Sequence, residues 1–153
     1  MTASRWRCGT TLVLGLVTLV TSGATSGPTG TALYCGTEHI GTLTYDHKVQ
    51  TLDGEALGHV RRQGSLVFAG DDPALFDNGY ARVRTGGVWY VNKFFQGSTS
   101  LTTTIGTVRR RNARRWDAYN GLRGRARRIG FAVGSSPALG AVGLLLVDGL
   151  PCR

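Results

Sequence analysis

Glycine constrains this chain more than any other residue type: 23 of its 153 residues are glycine and only 4 are proline. Glycine weakens a helix interior by about 1 kcal/mol relative to alanine and supplies the positive φ that tight turns need. Many turns joining short strands are therefore expected, with few long helices. The expected fold class is mainly β: two related antiparallel β-rich halves, barrel- or sandwich-like, with two short helices.

The N-terminus has a different character. Arg5 and Arg7 precede the apolar run 12–20, which ends in the small residues Ser22-Gly23-Ala24. Basic, apolar, then small is the order of a secretory signal peptide, here Met1 to about Ala24. The run falls well short of the roughly 20 residues that span a bilayer as a helix, so a retained anchor is not expected. Removal would discard Cys8 and leave Cys35 and Cys152 as a pair near the two ends of the mature chain. In an oxidising, extracellular compartment two such cysteines should form a disulfide closing almost the whole domain. Residues 25–32, rich in Ser, Thr, Gly and Pro, read as a flexible mature N-terminus, and residues 33–153 as one compact β-rich domain.

From 42 to 51 polar and strand-forming residues alternate, the pattern of a half-buried strand with His47 on the Tyr45/Val49 face. Asp53-Gly54 supplies a hairpin turn, and the return strand is 56–62. That turn places Lys48 opposite His59, His47 opposite Val60, and Asp46 opposite Arg61. Asp72-Pro73 and Ser136-Pro137 each read as a helix start, with a capping side chain before a proline. A second hairpin joins 80–85 to 88–94 through Gly86-Gly87. This turn sets Arg84 against Trp89, Arg82 against Val91 and Tyr80 against Lys93, with Ala81, Val83, Val88 and Tyr90 on the core face. Further strands are expected at 105–108, 116–119 and 129–133.

Several blocks recur. Ile40-Gly41-Thr42-Leu43 returns as Ile105-Gly106-Thr107-Val108, Asp53-Gly54 as Asn120-Gly121, Leu57-Gly58 as Ile129-Gly130, and Gly70-Asp71-Asp72-Pro73-Ala74-Leu75 as Gly134-Ser135-Ser136-Pro137-Ala138-Leu139. These matches suggest an internal duplication of 33–97 and 105–153.

Charge is distributed unevenly. Residues 25–104 carry six basic and seven acidic side chains, whereas 105–153 carry ten arginines against Asp117 and Asp148. Such a field attracts polyanions, and export makes a cell-wall or membrane-surface polymer a better match than nucleic acid. The candidate binding residues are Arg82, Arg84, Trp89, Arg109, Arg110, Arg111, Arg114 and Arg115. Trp89 would be a stacking platform and the arginines anion contacts, although an exposed Arg–Trp pair also arises as surface packing worth about 0.5–1 kcal/mol. His39, His47 and His59 lack metal-ligand spacing, and no cofactor motif is present, so no metal or cofactor is expected. Glu38, Asp46, His47 and Ser65 are catalytic candidates by residue type alone, without a signature motif.

Gly79-Tyr80-Ala81-Arg82-Val83-Arg84 followed by Gly87-Val88-Trp89-Tyr90-Val91 resembles the closing strands of bacterial SH3-like domains, and Ile40 to Leu43 is similar to an early strand of that family. The resemblance implies a small β-barrel that binds cell-wall material or peptide. The expected function is thus a secreted, non-catalytic module for an anionic surface polymer. A small extracellular hydrolase and a secreted inhibitor or toxin acting on a protein partner are the alternatives.

Overall fold

The structure, a computed structural model, describes residues 30–152 except 73, 97 and 99, and of Arg123 only the backbone. The expected signal peptide lies outside these residues.

Ten antiparallel strands form a meander: β1 (Thr31–Cys35), β2 (Glu38–Leu43), β3 (Lys48–Thr51), β4 (Ala56–Gln63), β5 (Leu66–Gly70), β6 (Gly79–Arg82), β7 (Val88–Phe94), β8 (Thr102–Asn112), β9 (Arg115–Asn120) and β10 (Arg127–Gly134). Each pairs with the next, and β1 pairs with β10, from Thr31↔Gly134 to Cys35↔Gly130, closing the barrel. Closure leaves no sheet edge exposed to pair with other chains. Strand β1 begins at Thr31, inside the stretch expected to be flexible.

The helix α1 (Pro137–Leu146) follows β10, and every residue in it except Leu139 is buried. A helix that is apolar all round must be surrounded by protein. Gly140 approaches Ala132, Thr31 and Leu33 on one side, and Gly143 approaches Val60 and Val49 on the other, so α1 runs through the lumen and packs against strands around the barrel. Most inward residues of the wall are correspondingly small: Val49, Val60, Val67, Ala69, Ala81, Val91, Val108, Ala118 and Ala132 are fully buried, with Leu33, Leu43, Trp89 and Trp116 the larger inward side chains. Larger side chains would occupy the space the helix needs. Among the described residues no helix is long and apolar enough to cross a membrane.

Ser136 makes no side-chain cap for α1. Its N–H instead donates to Thr31 Oγ1 at 2.8 Å, tying the helix start to β1. The other expected helix is a single turn. Asp72 Oδ1 accepts the Ala74 N–H at 2.7 Å, and the Asp72 carbonyl accepts from Leu75 and Phe76. Phe76 then takes φ +46, and Asn78 Nδ2 donates to the Leu146 carbonyl at 2.9 Å. The chain is thereby held to the end of α1 instead of continuing as a helix.

The expected strand over 42–51 is two strands broken by a turn. Thr44 N–H donates to the Lys48 carbonyl and His47 N–H to the Thr44 carbonyl, and His47 sits at φ +69. Leu43 and Val49 both point inward, while Tyr45 and His47 are exposed, so His47 is not half-buried. Lys48↔His59 pairs as expected, and Val60 N–H donates to the His47 carbonyl. Asp46 lies in the turn and has no strand partner; it pairs with Lys48.

The recurrent Ile-Gly blocks lie on β2 and β8, and both glycines press against a neighbouring carbonyl. An added Cβ would stand 2.1 Å from the Gln50 oxygen at Gly41 and 2.1 Å from the Tyr119 oxygen at Gly106. Gly54 and Gly121 both take positive φ in the turns that follow β3 and β9. The last matched pair diverges: Gly70 ends a strand leading to a loop, whereas Gly134 leads into α1. The two segments are parts of one closed wall, not separate halves.

Cys35 and Cys152 are joined by a disulfide, with Cα atoms 5.2 Å apart and a sequence separation of 117. At this end of the barrel lie the C-terminal end of α1 and the connections β1–β2, β3–β4, β5–β6, β7–β8 and β9–β10. The other four hairpin turns and the link into α1 lie at the opposite end.

Gly106→Ala is expected to destabilise the fold by about 3 kcal/mol, because strand backbone rather than a flexible side chain must move. Gly86→Ala, where a Cβ meets nothing within 4 Å, should change stability by less than about 0.5 kcal/mol in chemical denaturation. Replacing both cysteines by serine should cost on the order of 4 kcal/mol, less any residual structure in the unfolded chain.

Candidate functional site

A one-residue difference in register reorganises the expected site. Strands β6 and β7 pair as Gly79↔Lys93, Tyr80↔Asn92 and Ala81↔Val91, because the connection spans 83–87 and is not a two-residue turn. A shift of one residue moves side chains to the opposite face. Trp89 and Val91 therefore point inward and Tyr90 outward, the reverse of the expected arrangement.

Trp89 is only 5% exposed and is not a stacking platform. Its indole N–H donates to the Arg84 carbonyl at 3.1 Å, and its ring meets Trp116 at 4.6 Å between centroids. The pair fills the lumen at the end opposite the disulfide. Arg84 passes over the exposed Tyr90 ring at 5.4 Å, so the expected cation–π contact exists with the neighbouring aromatic.

The structure brings the candidate arginines together. β7 lies beside β8 with Val88 opposite Arg109, and Arg110 N–H donates to the Gly87 carbonyl at 2.8 Å. The β6–β7 turn thus rests on the start of the arginine run. A groove of about 520 Å³ separates them, lined by Thr85, Gly86, Gly87, Val88, Arg109, Arg110, Arg111 and Tyr119. A second depression of about 390 Å³ crosses the outer face of β6–β8, where Arg82 and Arg84 lie with Tyr80, Tyr90, Asn92 and Thr104. Arg109 stacks over Tyr119 at 4.8 Å. Arg114 is exposed in the β8–β9 turn, where its N–H donates to Asn112 Oδ1.

Asp117 organises part of this cluster, a role that residue type alone did not single out. It projects from the outer face of β9, between Arg109 on β8 and Phe131 on β10, yet is wholly buried. Arg115 Nε reaches one carboxylate oxygen at 2.9 Å, and Arg111 Nε reaches the other at 3.3 Å. Arg128 stands 4.0 Å away, and Arg115 also covers Phe131 at 3.9 Å. The sequence signal was one acid inside an arginine block, alternating with the inward Trp116 and Ala118. Arg111 and Arg115 are therefore partly engaged internally. Arg82, Arg84, Arg109, Arg110 and Arg114 make no ion pair among the described residues.

The carboxylates are segregated along the barrel axis, whereas arginines occur at both ends. Glu38, Asp53, Glu55, Asp71, Asp72, Asp77 and Asp148 all lie in the connections or strand ends at the disulfide end. Asp46 is the one exposed carboxylate at the opposite end, where Arg61 and Arg62 extend the basic surface. Asp46 is itself neutralised by Lys48 at 2.8 Å and accepts a hydrogen bond from Thr44.

The catalytic candidates are dispersed. Asp46 and His47 share the β2–β3 turn, Ser65 is in the next turn of the same end, and Glu38 is at the disulfide end. Among the described residues no group of three or more His, Cys, Asp or Glu side chains is placed to hold a metal ion. No protein-family model, curated protein or solved structure matches the chain.

The ammonium of Lys48, and then the hydroxyl of Thr44, hold the Asp46 carboxyl down from 3.8 to about 2. A depressed carboxylate pKa adds stability that is present above the unfolded value and is lost as pH falls through the folded one. The Asp46 contribution should therefore be complete above about pH 4 and disappear towards pH 2. A carboxyl NMR titration should place Asp46 near 2, and Lys48→Met should return it towards 3.8.

Proposed function

We propose that this protein is a secreted, non-catalytic binding module whose basic end engages an anionic polymer at the cell surface or wall. The observation that carries the reading is the placement of two arginine-lined depressions on the neighbouring strands β6, β7 and β8, one holding Arg82 and Arg84 and the other Arg109–Arg111. These groups are far apart in sequence and have no carboxylate partner, apart from Arg111 with Asp117. Guanidinium groups with unused donors match the oxygens of phosphate and carboxylate chains, and exposed Tyr90 adds a flat surface for sugar rings. The carboxylates gathered at the disulfide end would orient the molecule, even beside Arg125, Arg127 and Arg128 there, turning the arginine run of β8 towards a negative surface.

Secretion fits the Cys35–Cys152 disulfide, which persists in oxidising compartments. The similarity of 79–91 to SH3-like strands points to the same kind of ligand. An internal duplication relating β2–β4 to β8–β10 accounts for the shared Ile-Gly and turn-glycine positions and belongs to this reading.

Pull-down of the protein against cell-wall, lipid and nucleic-acid fractions tests the proposal. Wall or lipid-surface polymer should be retained at low salt and released as salt rises, since binding displaces condensed counterions. Arg109→Gln with Arg110→Gln should weaken binding and lower the log–log salt slope by about one per arginine removed. Retention that ignores salt would overturn the electrostatic account.

A further inference from the structure

A second feature lies at the other end of the molecule. A cleft of about 600 Å³ opens beside the disulfide, within the range of small-molecule sites. It is lined by Arg125, Arg127 and Arg128 together with the Cys35–Cys152 bridge and Pro151. Arg125 and Arg127 make no ion pair among the described residues, and Arg128 has only the 4.0 Å contact with Asp117. Arg125, Arg127 and Arg128 thus border one cleft, and its described lining residues include no carboxylate.

Asn120 and Ile129 form a shared wall. Both also line a smaller crevice of about 190 Å³, completed by Ile105, Leu145 and Lys93. This space lies where the end of α1 meets the barrel rim, and its surface comes mainly from three branched aliphatic side chains. Lys93 is held towards Asp148 at 3.7 Å. One space is cationic, the adjoining one is aliphatic, and the residues between them are common to both.

We infer that this composite site binds a monomeric anionic amphiphile, with a phosphate or carboxylate head at Arg125, Arg127 and Arg128 and a short aliphatic chain in the crevice against Ile105, Ile129 and Leu145. An extended polymer would use the cationic cleft but not the crevice, and an uncharged apolar ligand would use the crevice but not the arginines. Neither alone accounts for the adjacency. This inference does not depend on the basic end at the opposite side of the barrel.

Calorimetric titration of the full protein with monomeric octyl phosphate tests it, beside inorganic phosphate, butyl phosphate, octanoate and neutral octyl glucoside. Octyl phosphate and octanoate should each bind at least tenfold more tightly than inorganic phosphate or octyl glucoside. Each added methylene should tighten binding about fourfold until the crevice is full. Arg125→Gln with Arg127→Gln should weaken octyl phosphate binding at least tenfold. Asn120→Trp, a change at an exposed strand end, should obstruct the passage and abolish the dependence on chain length. Equal affinity for octyl phosphate and octyl glucoside would eliminate the cationic head site. Equal affinity for octyl phosphate and inorganic phosphate would eliminate the chain site, and no binding of any of these ligands would overturn the whole inference. The Arg109→Gln, Arg110→Gln variant should retain octyl phosphate binding, which separates failure here from failure of the polymer-binding reading.

Discussion

The structure depends on the fit of an apolar helix inside a closed barrel. α1 is buried at every residue but Leu139, and it can be so because the strands around it present mostly valine, alanine and glycine inward, with Leu33, Leu43 and the Trp89–Trp116 pair as the larger exceptions. The dependence is mutual. A ten-stranded wall lined by such small side chains would enclose a void without the helix, and interiors pack to crystal-like density. Gly140 and Gly143 mark the closest approaches, where added Cβ atoms would meet Ala132, Thr31, Leu33 and Val60 within 3.1 Å. Filling the lumen also directs function outward: what this protein binds must meet its ends and outer surface, where the arginines are.

The arginine surface follows from two further constraints. The register of β6 and β7 turns Trp89 into the lumen against Trp116 and leaves Arg82, Arg84 and Tyr90 outside. Below them, the buried carboxylate of Asp117 holds Arg111 and Arg115 in place. A buried acid is tolerable when charged partners replace its lost water, and here the Arg115 guanidinium also covers the Phe131 ring. A cluster of like charges is thereby stabilised by one opposite charge, while the outermost guanidinium groups stay unpaired.

Much of the wall was legible in sequence. The strands at 88–94, 105–108, 116–119 and 129–133 follow from short β-branched and aromatic runs between glycines, and Lys48↔His59 follows from the Asp53-Gly54 turn. The errors share a cause, because local pattern does not show where a chain reverses. Thr44 to His47 alternates like a strand, yet side-chain and backbone bonds to Lys48 close it into a turn. Gly86-Gly87 looked sufficient for a two-residue turn, but the connection takes in 83–87 and the faces invert. Asp72 begins a helical turn as its residue type suggests, and tertiary bonding of Asn78 to the end of α1 stops it.

By itself the sequence determined the β-rich character, the pairing of two cysteines near the chain ends and the arginine excess after residue 105, since each depends on composition, order or count. Only the tertiary structure decided that ten strands close around the last helix, that Trp89 is core, and that nearly all the exposed acids lie at the end opposite the arginine groove. Those outcomes depend on register and closure. In an antiparallel meander alternate connections go to alternate ends, so carboxylates scattered along the chain become gathered in space.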